Sequence, residues 1–260
     1  MACSVKSVPC ITDMDTASLA HQRVLIRVDF NVPLKEGVIQ DEMRILSALP
    51  TINYCLQHQS KVIIVSHLGR PKGSINPDLS LLPVSHRLAE LLDQDVTFTS
   101  KQIGPDLVKD TQSMADGSVL FLENIRFYPE EAQNDGHFSE ELAKLADIYV
   151  NDAFGAAHRS NSSTTGIAEF LPSFAGLLLS KEVKELSQAL DAPSRPLAAI
   201  IGGAKVSTKF KVLDHLLGTV DYLLIGGGMA FTFFKAQGLE IGQSLVELDL
   251  VDDARAFLEK

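Results

Sequence analysis

Unbroken apolar runs punctuate the chain at Val24–Val28, Val62–Val65, Val119–Leu122, Ile148–Val150, Leu197–Ile201 and Tyr222–Ile225. Continuous rather than alternating apolar character predicts strands covered on both faces, the situation of a parallel sheet. Helix-like stretches lie between the runs. Asp41–His58 predicts a helix that Pro50 kinks or breaks. Leu81–Leu92 predicts another, and Ser139 reads as the N-cap of one running through Glu140–Leu145. Lys181–Leu190 is amphipathic and charged, while Lys205–Leu217 and Met229–Ala236 follow their strands directly. Strand and helix patterns therefore alternate, which predicts an α/β fold built on a doubly wound parallel sheet, three-layered and Rossmann-like. No internal repeat, low-complexity tract or heptad pattern interrupts it.

The segment Asp191-Ala192-Pro193-Ser194-Arg195-Pro196 is short and proline-bearing, and it divides a helix from a new strand. About four strands precede it and two follow. Two strands make a marginal sheet, so residues 1–190 read as one domain and residues 197–260 as the first part of a second α/β domain that is incomplete. A hinge is expected at about residues 181–196.

With 260 residues, 45% of them hydrophobic and 22% charged, the chain can bury a real core or two, and it is not disordered as a whole. Its net charge of −10 argues against nucleic acid or an anionic membrane as partner, since both are held by cationic surface. No apolar run approaches the ~18 residues of a membrane helix, and Met1–Asp15 carries no apolar signal core. Cys3, Cys10 and Cys55 have no metal-ligand spacing and suit a reduced compartment. A cytoplasmic protein is expected, and a monomer.

Within this acidic chain, arginines recur just after the apolar runs. The loops read Arg27-Val28-Asp29-Phe30-Asn31-Val32-Pro33, Ser66-His67-Leu68-Gly69-Arg70-Pro71, Glu123-Asn124-Ile125-Arg126-Phe127, Asn151-Asp152-Ala153-Phe154-Gly155-Ala156-Ala157-His158-Arg159 and Gly202-Gly203-Ala204-Lys205. Open α/β sheets bind ligands outside the carboxyl ends of their strands. The guanidinium fork reads phosphate and carboxylate with paired hydrogen bonds. Loops of this kind on one edge are expected to converge on a small, highly charged anion. His67 and His158 each stand within three residues of a loop arginine and suit the same anion, as a neutral donor or as a cation. Asp29 and Asn31 admit two readings: acceptors for a ligand hydroxyl, or a turn ahead of Val32-Pro33. Lys205 and Lys209 are spaced to share one face at a helix start, beside glycines that let backbone approach phosphate. Gly226-Gly227-Gly228-Met229 adds a weaker signal of close backbone approach. Neither glycine segment matches a P-loop or a dinucleotide fingerprint, which counts against a dehydrogenase.

Taken in order, these motifs resemble the phosphoglycerate kinase family. They span residues 27–230, and the likeness covers essentially the whole chain. The resemblance implies a glycolytic phosphotransferase that moves a phosphoryl group reversibly between 1,3-bisphosphoglycerate and MgADP, giving 3-phosphoglycerate and MgATP. It implies that Asp29 and Asn31 hold the hydroxyl and carboxylate region of the glycerate. Arg44, in Asp41-Glu42-Met43-Arg44-Ile45, would stand near the transferring group. His67, Leu68, Gly69, Arg70, Arg126 and Arg159, with Arg27 and His158, would form the patch that grips the substrate phosphate. Lys205 would follow the phosphoryl group, Lys209 would contact nucleotide phosphates, and Gly203, Ala204, Gly227 and Gly228 would face the nucleotide. Arg44 and Lys205 are the implied catalytic pair. Two positions depart from the family pattern, Ala156 in place of Thr and Asn161 in place of His. Family members are also longer. The acidic residues for ribose and Mg²⁺ would belong to the absent portion, so no metal ligand is assigned here. Two expectations follow: a kinase represented in part, or a 3-phosphoglycerate-binding protein without the kinase half.

Overall fold

The computed structural model describes residues 8–191 and 193–260. Cys3 and the rest of 1–7, and Ala192 in the proline-bearing linker, lie outside them. The chain divides into two compact units, Met1–Lys184 and Glu185–Lys260.

The first unit contains β1 (Arg23–Val28), the hairpin β2 (Leu34–Lys35) and β3 (Val38–Ile39), β4 (Lys61–Val65), β5 (Val96–Thr99), β6 (Val119–Leu122), β7 (Ile148–Asp152) and β8 (Ser173–Ala175). Its helices are α1 (Thr16–Leu19), α2 (Met43–Gln57), α3 (Leu82–Leu92), α4 (Pro105–Gln112), α5 (Pro129–Gln133), α6 (Gly136–Ala143), α7 (Phe154–Ala157) and α8 (Leu177–Asp191), the last crossing the unit boundary. Six strands form one sheet in the order β5-β6-β4-β1-β7-β8, and every pairing in it is parallel.

Alternate residues of the central strands supply two separate cores, because successive strand side chains point to opposite faces. Val24, Ile26, Val28, Ile64 and Phe121 pack with Ile45, Ile52, Val84 and Leu88 from α2 and α3. Leu25, Ile63, Val65, Leu120 and Tyr149 pack with Leu107 from α4 and Phe138 and Leu142 from α6. That is the three-layer arrangement expected from the unbroken apolar runs. From β1 the chain crosses to β4 on one side. From β7 it passes to β8 on the other, so the winding reverses between the neighbours β1 and β7. A crevice for ligand forms at such a reversal, outside the carboxyl ends of the strands.

Several local expectations are corrected. Helix α2 runs unbroken through Pro50. Pro50 lies on the exposed face, so the hydrogen bond it cannot donate is lost on the solvent side while Thr51, Ile52 and Cys55 stay buried. Ser139 is no cap: it is buried inside α6, and the Asp135 carboxylate caps that helix by accepting the Phe138 N–H at 2.8 Å. Among the described residues the main sheet of the first unit has six strands rather than about four, and the β2–β3 hairpin adds two more. Within the main sheet the two missed, β5 and β8, are its edges, where the apolar run is broken.

The second unit holds β9 (Ala198–Gly202) and β10 (Tyr222–Gly226), paired in parallel, with α9 (Phe210–Leu217), α10 (Ala230–Ala236) and α11 (Val251–Leu258). Val206, Leu213, Met229, Phe233 and Phe257 form its core. Phe121, fully buried in the first unit, touches the rings of Phe30 and Phe98 at centroid distances of 6.0 and 6.3 Å. Phe121→Ala should cost about 3–5 kcal/mol of unfolding free energy by urea titration; a loss under ~1 kcal/mol would show that this layer is not packed as described.

Candidate anion site at the carboxyl edge of the sheet

Arg27 is the last-but-one residue of β1, and its guanidinium is buried beneath the carboxyl edge. Its Nε donates to Ser163 Oγ at 2.9 Å, Nη1 donates to the Val28 carbonyl, and Nη2 lies 3.0 Å from His67 Nδ1. Because guanidinium only donates, His67 Nδ1 must accept, and the imidazole proton resides on Nε2. Burial first, and then the surrounding Arg27, Arg126, Arg159 and Arg44 cations, push the His67 pKa down to about 2. Of the two states the sequence allowed for His67, the neutral donor is therefore the one present. Its Nε2 faces Asp29 Oδ1 at 4.0 Å.

Asp29 also accepts from Arg44 Nη1 at 2.5 Å and from the Asn31 N–H at 3.4 Å. Asn31 Oδ1 takes the Gly69 N–H at 2.8 Å, which fastens the loop after β1 to the loop after β4. Ser66 makes a second tie: its Oγ accepts the Phe30 N–H and donates to the Val28 carbonyl, both at 2.9 Å. Both readings of Asp29 and Asn31 stay open: each builds the turn, and Asp29 also pairs with Arg44.

The loop after β6 is held by Asn124, which is fully buried. Its Oδ1 accepts the N–H groups of Leu68 and Arg126 at 3.2 and 3.1 Å, and its Nδ2 donates to the carbonyls of Leu68 and Leu79 at 2.8 and 2.9 Å. Arg126 is thereby brought over the edge, where Nη1 donates to the Gly69 carbonyl at 2.8 Å. Burial, with Arg159 and Arg27 nearby, pulls its pKa down to about 10, so it stays a cation at neutral pH. Gly69 has φ +60, a left-handed conformation that glycine adopts without strain, and a Cβ there would stand 2.7 Å from a Leu79 methyl.

Arg70, Lys72, Arg126 and Arg159 line one cavity of about 400 Å³ together with Asn161. His158 is exposed next to Arg159, with Nε2 3.4 Å from Arg159 Nε. Arg44, Asp29, Asp152 and Gly155 line a second cavity of about 330 Å³. Its walls come from α2, the loops after β1 and β7, where the winding reverses, and Leu178 and Glu182 of α8, so Arg44 shares this cavity with three carboxylates, Asp29, Asp152 and Glu182. Leu68 differs from the other candidates: its side chain is in the core, 3% exposed, and its amide is engaged by Asn124. It offers structure here rather than a side-chain contact.

In the second unit the lysine expectation changes. Helix α9 starts at Phe210, so Lys205 and Lys209 do not share a helix face. Residues 207–209 form a turn that Glu247 captures, accepting the Ser207 N–H at 3.0 Å and Ser207 Oγ–H at 2.6 Å. Both lysines are exposed. Gly227, with φ +71, meets the facing loop: a Cβ there would lie 2.9 Å from the Gly203 carbonyl oxygen, and one on Gly228 would lie 3.1 Å from that of Ala204. The glycines accordingly bring two strand-end loops together, and the Met229 N–H donates to the Gly203 carbonyl at 2.9 Å. Among the described residues no three His, Cys, Asp or Glu side chains converge, so the residues present do not fit a Mg²⁺ cage. Among the described residues no helix is long and apolar enough to cross a membrane either.

Ser163, Glu131, Ser66 and Asn124 serve the site without having been singled out in the sequence. Asn124 sits inside a recognised motif and was within reach. Buried Glu131, in Pro129-Glu130-Glu131, reads as an ordinary helix-start carboxylate.

A doubly wound parallel sheet whose strand-end loops bring Arg70, Arg126 and Arg159 to one cavity defines the class: an α/β protein with a cationic pocket at the carboxyl edge of its sheet. The family model for phosphoglycerate kinase matches residues 12–260. Phosphoglycerate kinases of a Prochlorococcus marinus strain and of Acidobacterium capsulatum are 53% and 54% identical to the chain, each over 96% of it and 63% of their own length. The structure of phosphoglycerate kinase from Coxiella burnetii matches with a TM-score of 0.84 at 40% identity, over 97% of this chain and 63% of that one. The enzyme from Pyrococcus horikoshii matches at 0.83 and 32%, over 97% and 65%. The chain belongs to the phosphoglycerate kinase family, and it spans about 63% of the length of the relatives named from the sequence comparison.

The depressed His67 pKa carries a linkage consequence. In the unfolded chain the imidazole titrates near 6.5. Between about pH 2 and 6.5 the unfolded state therefore binds more protons, and stability falls as pH drops through that window, by at most about 1.4 kcal/mol per pH unit. Urea titrations from pH 7 to 4.5 should show a shallower fall for His67→Gln than for the wild type; equal slopes would place a charged histidine in the fold.

Proposed function

We propose that the chain carries the 3-phosphoglycerate-binding half and the opening part of the nucleotide-binding half of a phosphoglycerate kinase, acting in reversible phosphoryl transfer between 1,3-bisphosphoglycerate and ADP. The observation that carries this is the cavity of about 400 Å³ that Arg70, Arg126 and Arg159 line from the loops after β4, β6 and β7. Cations drawn from separate strand ends to one cavity suit a compact polyanion, and family membership supports that choice. The units divide the labour: the first takes the glycerate phosphate and carboxylate, and the second takes ADP or ATP through Gly203, Ala204, Lys205, Lys209, Gly227 and Gly228. A magnesium ion would screen the nucleotide phosphates, and its ligands are not assigned to this chain. The setting proposed is a cytoplasmic monomer with small-molecule substrates only.

Phosphoryl transfer asks for placement and for charge opposite the equatorial oxygens more than for covalent participation. Arg70, Arg126 and Arg159 orient the substrate phosphate, and buried Arg27 adds positive charge beneath them. Neutral His67 adds one Nε2–H donor without altering charge, so its contribution is constant across neutral pH. Asp29, steadied by Arg44, accepts a glycerate hydroxyl. Arg44 carries charge that opposes the moving group, the role that the family resemblance also gives to Lys205.

Isothermal titration calorimetry should find one 3-phosphoglycerate site per chain, with affinity lowered at least about tenfold in Arg126→Ala. No saturable binding to the wild type would reject the substrate reading. In a coupled assay for ATP formation, Arg44→Ala should lower kcat by a larger factor than it lowers 3-phosphoglycerate affinity. Equal factors would assign Arg44 to ground-state binding, and binding with no turnover in the wild type would leave the chain a 3-phosphoglycerate-binding protein.

A further inference from the structure

Glu131 lies in α5, is 0% exposed, and is assigned no role by the site residues above. Its carboxylate is nevertheless fully engaged. Oε2 accepts the Ser163 N–H at 2.8 Å, and Oε1 accepts Ser163 Oγ–H at 2.6 Å and Asn161 Nδ2–H at 3.2 Å. Ser163 is itself 0% exposed, and Tyr149 Oη donates to its carbonyl at 2.9 Å. Having given its proton to Glu131, Ser163 Oγ presents lone pairs to Arg27, whose Nε donates to it at 2.9 Å. The chain of donors therefore has one direction, from Arg27 Nε–H through Ser163 Oγ–H to the Glu131 carboxylate. Its far end is the Arg27 Nη2 contact with His67.

A buried carboxylate needs a partner to remain charged. Arg27 supplies it through one hydroxyl instead of by direct contact. The arrangement leaves Arg27 without a carboxylate seated on its fork, as a direct ion pair would place one, while its plane is fixed. We infer that Glu131 is a positioning residue for the anion site: acting through Ser163, it orients the Arg27 guanidinium and neutralises part of the charge gathered there. This role deepens the reading of the site as a phosphate binder, and rests on it.

Charge and position make opposite forecasts. If Glu131 acted only as a nearby negative charge, removing it would strengthen anion binding. If it positions Arg27, removing it weakens binding, because glutamine has one acceptor oxygen and its amide nitrogen would oppose an obligate donor, either the Ser163 N–H or the Asn161 Nδ2–H. Ser162 is a matched control: it is equally buried, but its Oγ donates only to backbone carbonyls, Glu130 at 3.2 Å and Asp135 at 3.4 Å.

The test is calorimetry on the whole chain with 3-phosphoglycerate and, separately, inorganic phosphate, together with thermal melts and the arginine Nε–H resonances. Ser163→Ala and Glu131→Gln should each weaken binding about tenfold and remove the exchange-protected Arg27 Nε–H signal. Ser163→Thr should restore both, and Ser162→Ala should change neither. Ser163→Ala binding like Ser162→Ala, or Glu131→Gln binding more tightly than the wild type, would overturn the inference. Should Ser163→Ala not fold, the Glu131→Gln comparison decides by its sign. Wild-type binding of phosphate but not of 3-phosphoglycerate would refute the substrate reading alone, with the relay still measured on phosphate. Binding of neither anion would refute both.

Discussion

Like charges have to be held close together in this fold. Arg27, Arg44, Arg126 and Arg159 all act on His67, and each lowers the tendency of the imidazole to take a proton. Guanidinium groups repel one another, and burial weakens the screening that water provides at a surface. Much of the surrounding structure can be understood as the means of keeping them together: Ser163 beneath Arg27, Asp29 beside Arg44, the Gly69 carbonyl under Arg126 and Asn124 behind the loop. Of these holders only Asp29 is charged; the others are a hydroxyl, a carbonyl and an amide.

Parallel topology makes the gathering possible. Each strand of a parallel sheet ends on the same edge, so residues far apart in sequence share one rim without long excursions. Arg27 and Ser163 are 136 positions apart, and Leu68 and Asn124 are 56 apart, yet both pairs are hydrogen bonded. The reversal of winding between β1 and β7 opens the crevice beside Asp29 and Asp152. A rim built from crossover loops also means that core packing and site geometry are joined. The sheet residues that bury into two layers fix where the next residues emerge.

What was legible in the sequence follows the physics of each signal. Central strands were readable because both of their faces are buried, as at Val62–Val65. Edge strands were not, since Val96–Thr99 and Ser173–Ala175 lack an unbroken apolar run. The clustering of arginines was readable because it recurs after successive strands. The capping of α6 was misread because Ser139 and Asp135 are both good caps by type, and only the backbone decides between them. Lys205 and Lys209 were misplaced on a helix because capture of Ser207 by Glu247 is a contact across 40 residues. Glu131 was invisible for the same reason: its partners Asn161 and Ser163 are remote, and a buried glutamate carries no local signature.

The central claim is that arginines from separate strand ends serve one anion. Arginine side-chain spectra of the 260-residue chain, recorded through a titration with 3-phosphoglycerate, test it most directly. The resonances of Arg27, Arg126 and Arg159 should move together along curves that fit a single dissociation constant. Independent curves, or movement of only one of the three, would contradict a shared site.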